Sequence, residues 1–505
     1  MSANTLRIER AAPPREDRLG AGTAFCGTCE QLKAKIGLKG KGCLNQATRS
    51  FSQSFGCQFT LSLAILNTLR NTVVVVHGPI GCGFWSVGGI GATRGQKRLR
   101  DPAASSTVWI SSNLDEHDVI NGGERKLREA VIYADREFHP EAIVVASSCV
   151  PALIGDDVDT ILEDVQRDIS AEVVSVNCEG FKTRLMATAY DAVYNGILKN
   201  LTRRVGRETF IAENKLDDLL WNYKKSHTVN VFNVGSMGRG DELELERLLN
   251  ALELNVNFLP CFSRPQDFRR VLDAALNVSI CGTHDDYYLG YIEKHFGIPC
   301  LIDTMPIGRK ATSRWLMNIA KFFNIEDRAK TLIEKEDAAL NEALEPYRAV
   351  LKGKRVYVSG GEIRIFVTGE LLQDLGLEIA GYKAHHVDEF IKPVMEGIEN
   401  LDPAFINVAS QQPFEQANII RRLNPDIIII HSGSGNITSK HGIPVLPLFL
   451  PANNYMGYSG AFEIAYRLKR VISNAQYNRN MKKYRPMPYR EEWYKKEALA
   501  YIKEE

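Results

Sequence analysis

At 505 residues the chain is too long for one hydrophobic core, and typical domain sizes imply roughly two to four domains. Its 44% hydrophobic and 24% charged residues are those of an ordinary globular protein, and a net charge of +1 excludes nucleic-acid binding through bulk electrostatics. No stretch has the length and apolarity of a membrane span, and the polar segment Met1 to Leu19 lacks the apolar core of a signal peptide, so a cytoplasmic location is expected. In that reducing compartment ten cysteines point to metal ligation or burial, not to disulfides.

Residues 1–25 read as disordered or peripheral, mixing Arg, Pro, Gly and Ala without periodicity. Cys26-Gly-Thr-Cys29 and Cys43 follow in a basic segment; with no second C-x-x-C in reach, ligands and free or subunit-interface thiols both remain open. Residues 1–48 are therefore set apart as an N-terminal extension. A first α/β domain is expected over 49–225, with strands at 73–76, 108–111, 143–146 and 173–176 and helices at 123–138 and 183–198. Cys57 stands in Ser-Phe-Gly-Cys, Cys82 after the strand and turn Thr72-Val-Val-Val-Val-His-Gly-Pro-Ile-Gly, and Cys149 at the end of Ala142-Ile-Val-Val-Ala-Ser-Ser. Thiols at such corners suit an iron–sulfur cluster.

A second α/β domain, 226–350, starts at Val229-Asn-Val-Phe-Asn-Val-Gly. Its G-x-x-G-x-G turn at Gly235–Gly240 is not the dinucleotide fingerprint and reads as a tight strand-to-helix turn. Strands are expected at 256–259, 278–280 and 299–302, and one long helical stretch over 309–351. A third domain, 351–473, has strands near 355–359, 377–380, 405–408, 427–430 and 444–448 and a helix over 460–473. The basic, aromatic tail 474–505 reads as a strap. Ligands of such open sheets bind beyond the carboxyl ends of the strands, where Cys82, Cys149, Cys178, Cys261, Cys281 and Cys300 fall. Cys261 and Cys300 follow apolar residues and suit burial. Cys281, in Ser-Ile-Cys-Gly-Thr-His-Asp-Asp, opens into a polar turn and suits a ligand role.

These residues resemble a known family. His77-Gly-Pro-Ile-Gly-Cys82-Gly, Ile120-Asn-Gly-Gly-Glu-Arg-Lys-Leu127, Cys149-Val-Pro-Ala-Leu-Ile-Gly-Asp-Asp157, Cys178-Glu-Gly-Phe181, Cys281, Gly353-Lys-Arg-Val-Tyr-Val-Ser-Gly-Gly361, Gly381-Tyr382 and Tyr455-Met-Gly-Tyr-Ser-Gly460 come in the order of nitrogenase component-one α subunits. The resemblance covers about residues 50–470. It implies three doubly wound Rossmann-like α/β domains with parallel sheets around a central cluster cavity. It further implies that Cys57, Cys82 and Cys149 hold half of an [8Fe-7S]-type P-cluster, shared with a homologous β-type subunit in an α2β2 heterotetramer. Cys281 would anchor a large eight-iron iron–sulfur–carbide-type cluster, and an ATP-dependent iron protein carrying [4Fe-4S] would deliver electrons.

The departures narrow the activity. The loop Leu446–Asn454 lacks the histidine that holds molybdenum–homocitrate in nitrogenase, and Met186 and Tyr190 replace a glutamine and a histidine near the substrate. Dinitrogen reduction is therefore not expected. His386, which aligns with a family histidine, and His431, at the end of Ile427-Ile-Ile-Ile-His, join Met186 and Tyr190 as pocket residues. Either imidazole is a candidate further metal ligand, and His284 a supporting one. The pattern looks most like the catalytic subunit of methylthio-alkane reductase, which cleaves C–S bonds of small organic sulfur compounds and needs neither nucleic acid nor membrane. A cofactor-assembly scaffold, or a nitrogenase α subunit with altered cofactor, is the alternative.

Overall fold

Runs of β-branched residues become strands here, and the amphipathic stretches between them become the helices that cover parallel sheets. The computed structural model describes residues 8–38, 44, 47–49, 56–87, 90–202, 218–410, 412–431, 438–498 and 502–504, and within them the strands form three main sheets. The chain divides into two compact units. One comprises Met1–Arg15, Gly56–Gly235 and Glu253–Ile302; the other comprises Glu16–Phe55, Ser236–Leu252 and Asp303–Glu505. No helix among the described residues is long and apolar enough to cross a membrane.

The first unit contains two parallel sheets. One has strand order Val108–Ser111, Thr72–His77, Ala142–Ser147, Glu172–Asn177. Alternate side chains serve its two faces: Val73 and Val75 pack with Leu127 and Val131, whereas Val74 and Val76 pack with Phe59, Leu63 and Tyr194. The other sheet has order Cys300–Ile302, Leu276–Ser279, Thr228–Phe232, Asn255–Leu259. The core under Val74 and Val76 runs on to Phe232, Leu259 and Tyr288. The helices Gln58–Leu66, Thr188–Ile197 and Gly282–Phe296 therefore share one apolar interior, which fixes the loops at their ends.

The N-terminal segment departs from its reading as peripheral. Asn195 Nδ2 donates to the Glu9 carbonyl at 3.0 Å and Lys199 Nζ to that of Arg10 at 3.0 Å. Arg15 is wholly buried, its Nη1 on Asp191 at 2.7 Å and its Nη2 on Asp286 at 2.9 Å. The two carboxylates come from helices far along the chain, so nothing local in sequence marks the site.

The second unit contains the third sheet, in the order Ala24–Thr28, Phe405–Ala409, Glu378–Ala384, Arg355–Gly360, Ile427–His431, Val445–Phe449; only the first strand is antiparallel. The Cys26 segment is thus an edge strand of this sheet. Cys29 opens the helix Cys29–Lys35, and burial, then Asp402, pushes its thiol up to about 12. Cys43 lies outside the described residues. The expected helical run 309–351 is two helices, Arg309–Phe323 and Glu326–Leu351, separated where Asn324 turns left-handed with φ 57°. In the Gly235–Gly240 turn, a Cβ on Gly240 would stand 2.3 Å from Asn454 Oδ1. The missing side chain there admits the loop before the helix Gly457–Ser473, not a phosphate. Asp241 and Glu244 on that side accept the Tyr455, Met456, Tyr458 and Ser459 amides at 2.7–3.1 Å. The tail lies along the helix Pro413–Leu423: Trp493 Nε1 donates to the Phe414 carbonyl at 2.9 Å, and Arg421 forks onto Glu491 at 2.8 and 3.0 Å.

Replacing Arg15 leaves Asp191 and Asp286 buried without their cation. Arg15→Met should cost about 3–5 kcal/mol, read as a lowered urea midpoint, with Arg15→Lys recovering part of it.

Candidate metal centre

Three strand ends of the first sheet meet at one corner. Thr72–His77 runs through Gly78 and Pro79 into the helix Ile80–Val87, which carries Cys82. Ala142–Ser147 runs through Ser148 into Cys149–Ile154, with Cys149 its first residue. Glu172–Asn177 runs through Cys178 and Glu179 into the short turn Gly180–Lys182. Cys57 caps the helix Gln58–Leu66 beside them. A Cβ on Gly180 would stand 2.8 Å from Cys57 Sγ and 3.8 Å from Cys149 Sγ, so these thiols converge on a backbone that only glycine leaves open.

Cys82 is close enough to feel both. Burial first, then Cys149 and Cys57, push its thiol up, against a smaller opposing hydrogen bond from Ser148. A cationic centre placed among the three thiols would favour the ionised form of Cys82 against its burial. The donor set fits an iron–sulfur cluster on this ground. Cys178, by contrast, is wholly buried with its Sγ 3.6 Å from the Ser147 carbonyl, and burial raises its pKa. It serves as packing.

The loops are braced from behind. His77 Nδ1 lies 3.0 Å from Ser112 Oγ and its Nε2 lies 3.1 Å from Asp156 Oδ2, while Ser112 Oγ also accepts the Gly78 amide. Asp156 ends the Cys149 loop. Its desolvation, which would raise the carboxyl, is outweighed by hydrogen bonds from His77 and the Gly123 amide, so it stays below the usual range. The Cys82 and Cys149 loops are thus tied through one imidazole–carboxylate pair. Around them Ile80, Phe84, Leu153 and Phe181 are exposed, between 54% and 72%.

A fourth candidate thiol sits elsewhere in the same unit. Cys281 is buried and caps the helix Gly282–Phe296. Its amide donates to Ser279 Oγ at 3.0 Å, Ser279 donates to Asp285 Oδ2 at 2.7 Å, and Tyr194 donates to Asp285 Oδ1 at 2.8 Å. Burial pushes the Asp285 carboxyl up to about 8 despite those two donors. One turn on, the His284 ring stacks on Tyr190 at 3.7 Å and 15°. Met186 lies at the other end of the same segment, its Cε 3.3 Å from where a Gly56 Cβ would stand, beside the Cys57 loop. The stretch Met186–Tyr190 therefore spans from the three-thiol corner toward Cys281.

Of the remaining predicted residues, the histidines at 385, 386 and 431 lie in the second unit and Cys261 and Cys300 in the first. His431 ends its strand, and Arg364 Nη1 is 3.2 Å from its Nε2; burial, then Arg364, pushes it down to about 3, so it is a neutral imidazole. His385 is 6.1 Å from it, ring to ring, and is likewise depressed by burial. His386 follows the strand Glu378–Ala384, with Nε2 4.0 Å from Glu362. Cys261 is buried, and Cys300 Sγ lies 3.4 Å from Glu293, its thiol pushed up to about 12 by burial and that carboxylate. Sequence reasoning missed Gly180 as the point of convergence and Asp285 as the support of Cys281, although both stand inside segments it singled out.

A profile of the nitrogenase component 1 type oxidoreductases matches residues 57–473, most of the chain and the whole of both thiol sites. The chain belongs to that family. Among its relatives are the nitrogenase iron-molybdenum cofactor biosynthesis protein NifE of Rippkaea orientalis, 27% identical over 88% of this chain and 90% of that protein. The nitrogenase molybdenum-iron protein alpha chain of Methanothermobacter marburgensis is 26% identical over 83% and 87% respectively. The solved structure of nitrogenase Cp1 at pH 5 superposes with a TM-score of 0.71 at 21% identity, covering 88% of this chain and 92% of that one, which establishes the shared α/β fold.

Gly180→Ala should fold normally by circular dichroism yet lose at least about half its bound iron, because the methyl group occupies the space between the thiols.

Proposed function

We propose that this chain is the catalytic α-type subunit of an ATP-dependent reductase that cleaves the C–S bond of small methylthio-alkanes. The observation that carries the reading is the pair of separate thiol sites in one unit: Cys57 and Cys149 converging at Gly180 with Cys82 beside them, and Cys281 held apart next to the Tyr190–His284 stack. Cys57, Cys82 and Cys149 would hold one half of an [8Fe-7S]-type cluster, and the apolar rim of Ile80, Phe84, Leu153 and Phe181 suits a β-type subunit supplying the other half. Cys281 would anchor a second, larger eight-iron cluster without molybdenum–homocitrate. Bound clusters would supply one-electron reduction, fed by an iron protein carrying [4Fe-4S].

The overall conversion is R–S–CH3 + 2 e⁻ + 2 H⁺ → R–H + CH3SH. One C–S bond breaks; one C–H and one S–H bond form. The residues of this chain would set the pocket for it. Met186 and Tyr190 present a thioether and a phenol, a less polar lining that suits an uncharged organic sulfide. The Tyr190 hydroxyl is the proton donor we assign to the departing thiolate, with His284 holding the ring in place.

The similarity to NifE, as great as that to the molybdenum-iron alpha chains, favours one other reading: a scaffold that assembles a cluster and passes it on. One assay separates the two. Enzyme purified without oxygen with its partner subunit, supplied with its iron protein and ATP, should release methanethiol only when a methylthio-alkane is present. Cys281→Ala should abolish release while keeping roughly half the iron. Absence of thioether-dependent release, together with cluster transfer to an apo-nitrogenase, would establish the scaffold instead.

A further inference from the structure

The third sheet carries a set of metal-type donors that the thiol sites do not use. Glu362 opens the helix Glu362–Asp374, just beyond the strand Arg355–Gly360; His386 and Asp388 follow Glu378–Ala384, its parallel neighbour. One ligand atom from each of Glu362, His386 and Asp388 lies within 4.8 Å of the other two. Both carboxylates are buried, Glu362 to 2% exposure and Asp388 to 1%, and His386 is partly buried.

The backbone holds these donors firmly. Val387, between His386 and Asp388, exchanges both hydrogen bonds with Gly22, at 2.9 and 3.0 Å. That extended pairing puts residues 386 and 388 on the same side. Glu362 Oε2 accepts the Asp388 amide at 3.0 Å, and Asp388 Oδ1 accepts the Phe390 amide at 3.0 Å. Glu362 Oε1 lies 4.0 Å from His386 Nε2. The amide bonds fix where the two carboxylates stand, and a cation among them would offset their mutual repulsion in a buried setting.

We propose that Glu362, His386 and Asp388 bind a single divalent first-row metal ion of the Mn²⁺ or Fe²⁺ class, distinct from the thiol-held clusters. Two carboxylates and one imidazole suit such a cation, and the absence of sulfur from the set disfavours the thiophilic ions that Cys57 or Cys281 would take. Donors about 2.1 Å from one octahedral ion stand about 3 Å apart, so binding draws these atoms together by about 1–2 Å, within reach of side-chain rotation. The site lies where open parallel sheets take ligands, past the carboxyl ends of adjacent strands. Its bound ion would tie the start of one helix to the exit of the neighbouring strand, whatever reaction the thiol sites perform.

The full-length protein, purified with its partner subunit and its clusters in place, is stripped of loosely held metal with EDTA and titrated with MnCl2. Free Mn²⁺ is followed by its six-line EPR signal. One Mn²⁺ should bind per chain, with pulsed EPR showing coupling to one imidazole nitrogen. Glu362→Gln should weaken binding at least about tenfold, and His386→Gln should remove the nitrogen coupling. Wild-type protein that binds no Mn²⁺, or binds it without nitrogen coupling, overturns the proposal without reference to any variant. So does a nitrogen coupling that persists in His386→Gln. An unchanged thermal midpoint of the metal-free variants shows that the loss is of ligands and not of fold.

Discussion

Everything at the three-thiol corner depends on one missing side chain. Cys57 stands as close to the backbone at Gly180 as it does because no Cβ is there: one would lie 2.8 Å from its sulfur, with the Cys149 sulfur next at 3.8 Å. That approach in turn depends on strand order. Thr72–His77, Ala142–Ser147 and Glu172–Asn177 are consecutive neighbours in a parallel sheet, so their carboxyl ends, with Cys82, Cys149 and Gly180, emerge side by side. The register of these strands is therefore part of the site: both faces of the sheet are buried, so a slip of one residue would exchange side chains between the two cores and move the loop that follows.

Cys281 is held by a different means. A chain of short hydrogen bonds from its amide through Ser279 and Asp285 to Tyr194 fixes the cap of its helix, and Arg15 adds a buried cation on the next residue, Asp286. Polar networks of this depth are costly unless complete, and here each carboxylate has its donors. The helix that supplies Tyr194 and Asp191 is continuous with the segment bearing Met186 and Tyr190, so the packing that secures Cys281 also places the side chains we assign to the substrate pocket.

Much of this was legible in sequence, for physical reasons that differ from element to element. The strands at 72–77, 142–147 and 172–177 were visible because short β-branched runs between helical patterns have few other readings. The cysteines were visible because thiols at such ends are chemically conspicuous. Arg15 was not, since its partners Asp191 and Asp286 are brought to it only by tertiary packing. The break at Asn324 was hidden because a left-handed asparagine inside a helical pattern leaves the periodicity on both sides intact. Glu362, His386 and Asp388 were scattered among ordinary polar residues until two adjacent strands juxtaposed them.

The central claim is that one unit of this chain anchors two separate iron centres through thiols. Anomalous diffraction at the iron absorption edge, on crystals of protein purified without oxygen together with its partner subunit, tests it most directly. One iron peak group is expected against Cys57, Cys82 and Cys149 and a second against Cys281. Iron at the first site alone, or at neither, would contradict it.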